Sequence, residues 1–212
     1  MFDDRSNAGR QLAEKLKEIK YKNLLILALP RGGVPIGYEV AQVLHAPLDV
    51  IVARKVGLPW NPELGIGAVA PGVQILDEAS LKMLGLNRSD IKPIIAQEQA
   101  ELTRRILLYR GNEELPKIAG KTVILVDDGL ATGITARAAF KAIKQLKPEK
   151  LILAVPVGSF EAINLLKESV DELICLKIPP HFYAVSAFYH NFPQVSDEEV
   201  VDLLRKAKKE LS

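Results

Sequence analysis

At 212 residues the chain suits one α/β domain with room for a small accessory subdomain. Hydrophobic residues at 48% and charged residues at 25% exclude a disordered chain, and a net charge of +2 carried by scattered basic residues argues against a nucleic-acid binder. No apolar stretch approaches the roughly 20 residues of a membrane-spanning helix, so no membrane is expected as a partner. The first residues, Met1-Phe2-Asp3-Asp4-Arg5, carry charge where a signal peptide is apolar, and a cytoplasmic location is the expectation. The single cysteine, Cys175, allows no intrachain disulfide and reads as a small core residue in the apolar run from Leu173 to Leu176.

A helix leads, from about Arg5 to Ile19. Apolar runs of strand length then alternate with helical patterns. Leu24 to Leu29 reads as a strand, Val34 to Leu44 as a helix and Leu48 to Ala53 as a strand. After an irregular stretch come a strand at Thr122 to Val126, a helix at Gly133 to Leu146, a strand at Leu151 to Val157, a helix at Phe160 to Lys167 and a strand at Glu172 to Ile178. The strands are nearly continuous in Ile, Leu and Val, as a sheet covered on both faces requires. The alternation therefore describes an α/β fold with a doubly wound, mostly parallel sheet.

The regularity breaks between Gly57 and Gly120. Val73 to Leu76 suits a short strand, and Ser89 to Tyr109 one long helix with Ser89 as N-cap and Gly111 just past its end. Its apolar positions, Ile91, Ile94, Ile95, Leu102, Ile106 and Leu107, fall mainly on one face. Residues 73–118 read as a helical insertion on a single domain spanning 1–212, and residues 178–195 as a C-terminal hood. A last helix, Asp197 to Glu210, opens with the capping-box pattern Ser196-Asp197-Glu198-Glu199.

Four segments carry the candidate chemistry. In Val123 to Thr135 a buried strand ends in two acids, Asp127 and Asp128, followed by Gly129-Leu130-Ala131-Thr132-Gly133-Ile134-Thr135 leading into a helix. In open α/β sheets ligands sit at the carboxyl ends of strands. A loop entering a helix N-terminus presents N–H groups and partial positive charge to a phosphate. The two carboxylates cannot favour the phosphate, so they suit sugar hydroxyls or a metal ion beside it. The second segment is Arg31-Gly32-Gly33, at the end of the first strand. Its glycines allow close backbone approach to an anion, and Arg31 can fork onto diphosphate oxygens. The third, Arg54-Lys55-Val56-Gly57-Leu58-Pro59-Trp60-Asn61-Pro62-Glu63-Leu64-Gly65, is rich in glycine and proline and has few groups to anchor it in a core. It reads as a long loop, either a solvated one or an active-site cover. The fourth, Ile178 to Tyr189, holds Phe182, Tyr183, Phe188 and Tyr189, which serve either as a plug for the sheet end or as a cover over a ligand. His45, His181 and His190 lack metal-ligand spacing.

The run from Val123 to Thr135 resembles the signature of type I phosphoribosyltransferases, and the likeness extends from about Leu24 to Tyr189. Phe2, Arg5, Ala8, Gly9, the Arg-Gly-Gly loop, Arg54-Lys55, Asn61-Pro62-Glu63 and the aromatic hood make the chain most similar to the uncharacterised group of predicted phosphoribosyltransferases. The resemblance implies that Asp127 and Asp128 bind the ribose hydroxyls of 5-phosphoribosyl-1-diphosphate. It implies that Ala131, Thr132, Gly133, Ile134 and Thr135 cradle the 5-phosphate. Arg31, Gly32 and Gly33 then form the diphosphate loop, with a cis peptide at Pro30-Arg31. The third segment becomes a flexible lid in which Arg54 and Lys55 meet the leaving diphosphate and Glu63 takes part in proton transfer. Phe182 and Tyr183 belong to the hood over a nucleobase-like acceptor. Mg²⁺ is the implied cofactor, held by Asp127 and Asp128 directly or through ribose hydroxyls or water. The hypoxanthine-guanine type carries Asp where this chain has Ala131, and the acid-rich run is similar to the adenine type instead, so the base stays open. So does the assembly state, a homodimer included. The alternative to an enzyme is a sensor that binds the ribosyl diphosphate without turnover; a phosphate-ester hydrolase would need a nucleophile-base pair that these segments lack.

Overall fold

The computed structural model describes residues 1–18, 21–58 and 60–211, with the side chains of 62–64 left out. Five strands form a parallel sheet: β1 (Leu24–Ala28), β2 (Leu48–Val50), β6 (Thr122–Val126), β7 (Lys150–Val157) and β8 (Glu172–Lys177), in the order β2-β1-β6-β7-β8. Register is continuous across the centre, with Leu24 opposite Thr122 and Ala28 opposite Val126, then Val126 opposite Ala154. Because successive strand residues point to opposite faces, each apolar run feeds two cores. Ile26, Ala28, Ile124, Val126 and Ile152 meet α1 (Arg5–Lys17), α2 (Gly33–Leu44) and α7 (Asp197–Leu211) on one side. Leu25, Leu27, Val123, Leu125 and Leu153 meet α5 (Ile134–Gln145) and α6 (Phe160–Leu166) on the other. This is the doubly wound arrangement expected of the strand pattern. Helix α1 ends at Lys17, and Ile19 lies outside the described residues.

The segment expected to be a loop is folded differently. Residues 54–58 form β3 and residues 61–70 form β4, which with β5 (Val73–Leu76) make a separate antiparallel sheet in the order β3-β4-β5. Val56 and Leu58 are fully buried, so this stretch is anchored in the core, contrary to the reading from its glycine and proline content. Its glycines serve the pairing itself: a Cβ on Gly67 would stand 2.4 Å from the Ile75 carbonyl oxygen, and the β3–β4 register shifts on either side of Gly57. Pro59 lies outside the described residues. Strand β2 is correspondingly short; Ile51, Val52 and Ala53 stay buried but leave the parallel sheet as the chain turns toward β3.

Helix α3 (Glu78–Met83) is followed by α4 (Arg88–Arg110), whose cap is Asn87 rather than Ser89. Asn87 accepts from the Asp90 N–H, and its own N–H donates to Asp90 Oδ2 at 2.8 Å, completing a capping box. Gly111 closes the helix in the left-handed region, as expected. The buried stripe is Ile91, Ile95, Leu102, Ile106 and Tyr109; Leu107, one position round the helix from Ile106, is exposed. At the start of α7, Ser196 Oγ accepts from the Glu199 N–H at 3.1 Å. Cys175 lies on β8, and burial pushes its thiol up to about 11. No described helix is long and apolar enough to cross a membrane.

The cap assignment is testable by urea unfolding. Asn87→Ala should cost about 1 kcal/mol, whereas Ser89→Ala should stay within about 0.5 kcal/mol of the parent.

Candidate active site

The loops that leave β1 and β6 meet at the carboxyl edge of the parallel sheet, and they interlock because two positions lack side chains. The Leu29 N–H donates to the Val126 carbonyl at 2.9 Å, which brings residues 30–33 against Asp127 and Asp128. A Cβ on Gly32 would fall 1.9 Å from Asp128 Oδ2, and one on Gly33 would fall 2.8 Å from the Val126 carbonyl oxygen. The Arg-Gly-Gly loop and the acidic pair, far apart in the chain, thus form one site. The peptide between Pro30 and Arg31 is cis.

Each acid has one oxygen committed to the protein. Asp127 Oδ1 accepts from the Asp128 N–H at 2.9 Å, and Asp128 Oδ2 accepts from Arg5 Nε at 2.8 Å. The second oxygen of each receives no hydrogen bond from the described residues. Burial raises the Asp127 pKa well above the usual carboxylate range, and the charge of Asp128 adds to the rise. Burial also raises Asp128, against the opposing pull of the Arg5 guanidinium. Tyr189 donates to the Asp128 carbonyl at 2.6 Å and is itself pushed upward by burial and by the Asp128 charge.

The loop from Gly129 to Gly133 is clipped to the end of β7. The Leu130 N–H donates to the Val157 carbonyl at 3.0 Å, and the Ser159 hydroxyl donates to the Ala131 carbonyl at 2.7 Å while accepting from the Ala162 N–H. Gly133 adopts φ of 72°, a conformation that strains any side chain, and a Cβ there would stand 2.8 Å from Leu166 Cδ1. Helix α5 starts directly after it without a side-chain cap, so the donors of its first turn face the loop. Ala131 and Thr132 are exposed; Ile134 and Thr135 are half-buried.

The remaining candidates are placed unequally. The stem of Lys55 crosses Gly65, where an added Cβ would lie 3.1 Å from Lys55 Cδ and 3.8 Å from Ile134 Cγ2, so Lys55 runs beside the start of α5. Arg54 instead pairs with Glu98 on α4, at 2.8 Å from Nε and 2.7 Å from Nη2. Glu63 is on β4, its side chain outside the described residues. Arg31 lies 3.8 Å from Asp197 at the start of α7, which also accepts from Tyr109 and Arg104. Phe182 stacks on Phe188 with ring centroids 5.4 Å apart, whereas Tyr183 is 89% exposed. Both border a cavity of about 260 Å³ that Phe160, Glu161, Pro179, Pro180 and His181 complete. A larger groove of about 620 Å³ opens beside Pro47 and Leu48 at the amino end of β2, the wrong end of the sheet for the ligands of such folds.

Residues 5–193 match the model of the phosphoribosyl transferase domain. This chain belongs to the phosphoribosyltransferase family. It is 40% identical over 213 residues to a provisionally named phosphoribosyl transferase of Mycobacterium tuberculosis, an alignment covering 100% of the chain and 48% of that relative. The chain therefore spans about half the length of the curated relatives it matches. The crystal structure of TT1426 from Thermus thermophilus superposes with a TM-score of 0.80 at 39% identity, covering 97% of this chain and 98% of that one. The AQ2163 protein of Aquifex aeolicus shares the fold, with a TM-score of 0.55 at 14% identity over 94% of this chain and 84% of its own. The five-stranded sheet is accordingly that of a type I phosphoribosyltransferase, and helix α7 follows the residues that the domain model matches.

The sequence marked no role for Ser159, placed Tyr189 only among the hood aromatics and Asp197 only in the capping-box pattern of the last helix, and gave Arg5 none beyond its place in the likeness. Arg5 did carry a signal: it is a charge in register with Ala8 and Leu12 on the buried stripe of α1. The others make contacts that no local pattern marks.

The raised carboxyl of Asp127 has a consequence for stability. The folded state holds its proton to higher pH than the unfolded chain does, so ligand-free stability falls as pH rises from about 4 through the folded pKa. Asp127→Asn should melt above the parent at pH 7, with a margin that shrinks toward pH 4. Thermal melts at both pH values check this, and a margin independent of pH would contradict it.

Proposed function

We propose that this family member binds 5-phosphoribosyl-1-diphosphate and transfers its phosphoribosyl group to a nitrogenous base, a nucleobase being the favoured acceptor. The observation that carries the reading is the interlock of Arg31-Gly32-Gly33 with Asp127-Asp128 beside the uncapped start of α5. Donors for one phosphate and acceptors for a sugar then lie on adjacent loops, with the diphosphate loop next to both. The Asp127 and Asp128 oxygens not committed to the protein accept the ribose hydroxyls, and Ala131 to Thr135 receive the 5-phosphate with backbone N–H groups and the Thr132 and Thr135 hydroxyls. The base nitrogen forms its bond to ribose C1 as the bond from C1 to the diphosphate oxygen breaks, and the proton that the nitrogen sheds passes to a general base, the role the resemblance gives Glu63. Lys55, held beside α5, faces the charge that grows on the leaving group. Phe182 and Tyr183 border the acceptor side.

The donor set fits Mg²⁺ that arrives with the diphosphate. Among the described residues no group of three or more His, Cys, Asp or Glu forms a metal cage. Two hard carboxylates with an uncommitted oxygen each suit an ion that takes its other ligands from phosphate and water. Asp127 and Asp128 would hold it directly or through the ribose, and the ion would neutralise charge on the departing diphosphate.

One observation favours a second reading, a sensor that binds without turnover. Arg54 is taken by Glu98, which removes one of the two cations expected at the leaving group. A screen of nucleobases with labelled 5-phosphoribosyl-1-diphosphate and Mg²⁺ separates the two: the enzyme releases diphosphate with at least one base, the sensor with none. Asp127→Asn combined with Asp128→Asn should abolish calorimetric binding in either case, and retained affinity would remove the acids from the site. With an active base, Lys55→Ala should lower kcat by about 10²-fold or more while affinity changes far less, the pattern of a contact that strengthens in the transition state. Equal losses in both would confine Lys55 to ground-state binding.

A further inference from the structure

Arg5 begins α1 but points into the protein, with only 8% of the residue exposed. A guanidinium so placed is costly unless its donors are used. Its Nε donates to Asp128 Oδ2 at 2.8 Å and its Nη1 to the Pro193 carbonyl at 2.7 Å, while its carbon centre lies 3.6 Å from the centroid of the Phe192 ring. One end of the fork thus grips the acid, and the other end and the flat face are fixed by the hood. Seen from the acid, Oδ2 is trapped between Arg5 Nε and the α-carbon of Gly32, where a Cβ would stand only 1.9 Å away. The main chain of the same residue is pinned by the Tyr189 hydroxyl at 2.6 Å. Tyr189 is in turn packed between Phe2 and Phe192, at centroid distances of 5.4 and 4.8 Å. Oδ1 is the carboxylate oxygen left to a ligand.

We propose that Arg5 is a positioning residue of the ribosyl site: it locks the Asp128 carboxylate so that Oδ1 is presented to the sugar, and it makes that lock depend on the hood through Pro193 and Phe192. The proposal rests on the phosphoribosyl reading of Asp127 and Asp128 and adds to it a residue that touches no substrate. Arginine is required rather than any cation, because only a planar fork holds the Asp128 and Pro193 oxygens together while lying flat on a ring.

The test is calorimetric titration of the full chain with 5-phosphoribosyl-1-diphosphate and Mg²⁺, alongside thermal melts. Arg5→Gln should raise Kd by about 10- to 100-fold, the range for partners that orient a ligating group. Arg5→Lys should fall between Arg5→Gln and the parent. Leu16→Ala, at the far end of the same buried stripe, should lower the melting temperature and leave Kd unchanged. If Arg5→Gln does not fold, the comparison of Arg5→Lys with Leu16→Ala decides in the same way: weakened binding in the first alone supports positioning. Parent-like affinity in the folded Arg5 variants overturns the proposal, as does an equal loss of affinity in Leu16→Ala. Absence of binding by the parent chain overturns the phosphoribosyl reading itself, and the positioning role falls with it.

Discussion

The bond between Arg5 and Asp128 joins parts of the molecule that are far apart in the chain. It runs from the first turn of α1 to the carboxyl end of β6, and through Pro193 and Phe192 it takes in the hood. Phe2 extends the tie by pairing with Tyr189 as an isolated parallel bridge, its N–H donating to the Phe188 carbonyl at 2.8 Å. Both ends of the family-matched region, 5–193, therefore close on one carboxylate. A buried ion pair is a poor way to gain stability, because desolvating two charges offsets most of their attraction. Its value lies in the penalty for rearrangement, since moving either partner would strand the other without water. That penalty suits a group whose geometry must survive the arrival of a charged ligand.

Around this bond the parallel sheet does what such sheets do. Helices α5 and α2 follow β6 and β1, so two helix N-termini and two loops converge at neighbouring strand ends. Glycine sets how closely those loops approach. With a side chain at position 32 or 33 the first loop would collide with Asp128 or with the Val126 carbonyl, and the two halves of the site would be separated by the width of a methyl group. The raised pKa values of both acids express the same crowding: two carboxylates are held out of water next to each other, with one guanidinium to share. Holding two charges this way lowers stability, the usual cost of a preorganised polar cluster.

Helices α4 and α7 act on the cations. Helix α4 supplies Glu98 to Arg54 and Arg104 to Asp197, and α7 brings Asp197 within 3.8 Å of Arg31. Two arginines that resemblance assigns to the diphosphate are thus beside acids of helices α4 and α7. An anion bound at that place would meet cations whose charge is already partly balanced, so its gain would be the difference between two sets of contacts rather than the full attraction. The antiparallel sheet β3-β4-β5 has a related effect on Lys55. By burying Val56 and Leu58 it holds this lysine on a packed hairpin whose second strand lies against α5.

Local pattern was enough for much of this. Strands β1, β6, β7 and β8 and helices α2, α5, α6 and α7 follow from runs of apolar residues, because a strand or helix buried in a layered fold must repeat its apolar side chains at its own period. The acidic pair before Thr132-Gly133 and the glycine pair after Arg31 were legible for a similar reason: close approach to an anion restricts the residue types at each step. The β3–β4 hairpin was not, since Gly57 and Gly65, which admit the close pairing, resemble loop residues when the partner strand is unseen. Nor were the partners of Arg5, Arg31 and Arg54. Arg5 and Asp128 are 123 residues apart, and Arg54 and Glu98 are 44 apart. A charge carries no mark of which opposite charge it will meet. Composition states that the acids and bases exist; only the packing of helices on the sheet, which is driven by apolar area and indifferent to charge, decides which of them are brought within a hydrogen bond's length.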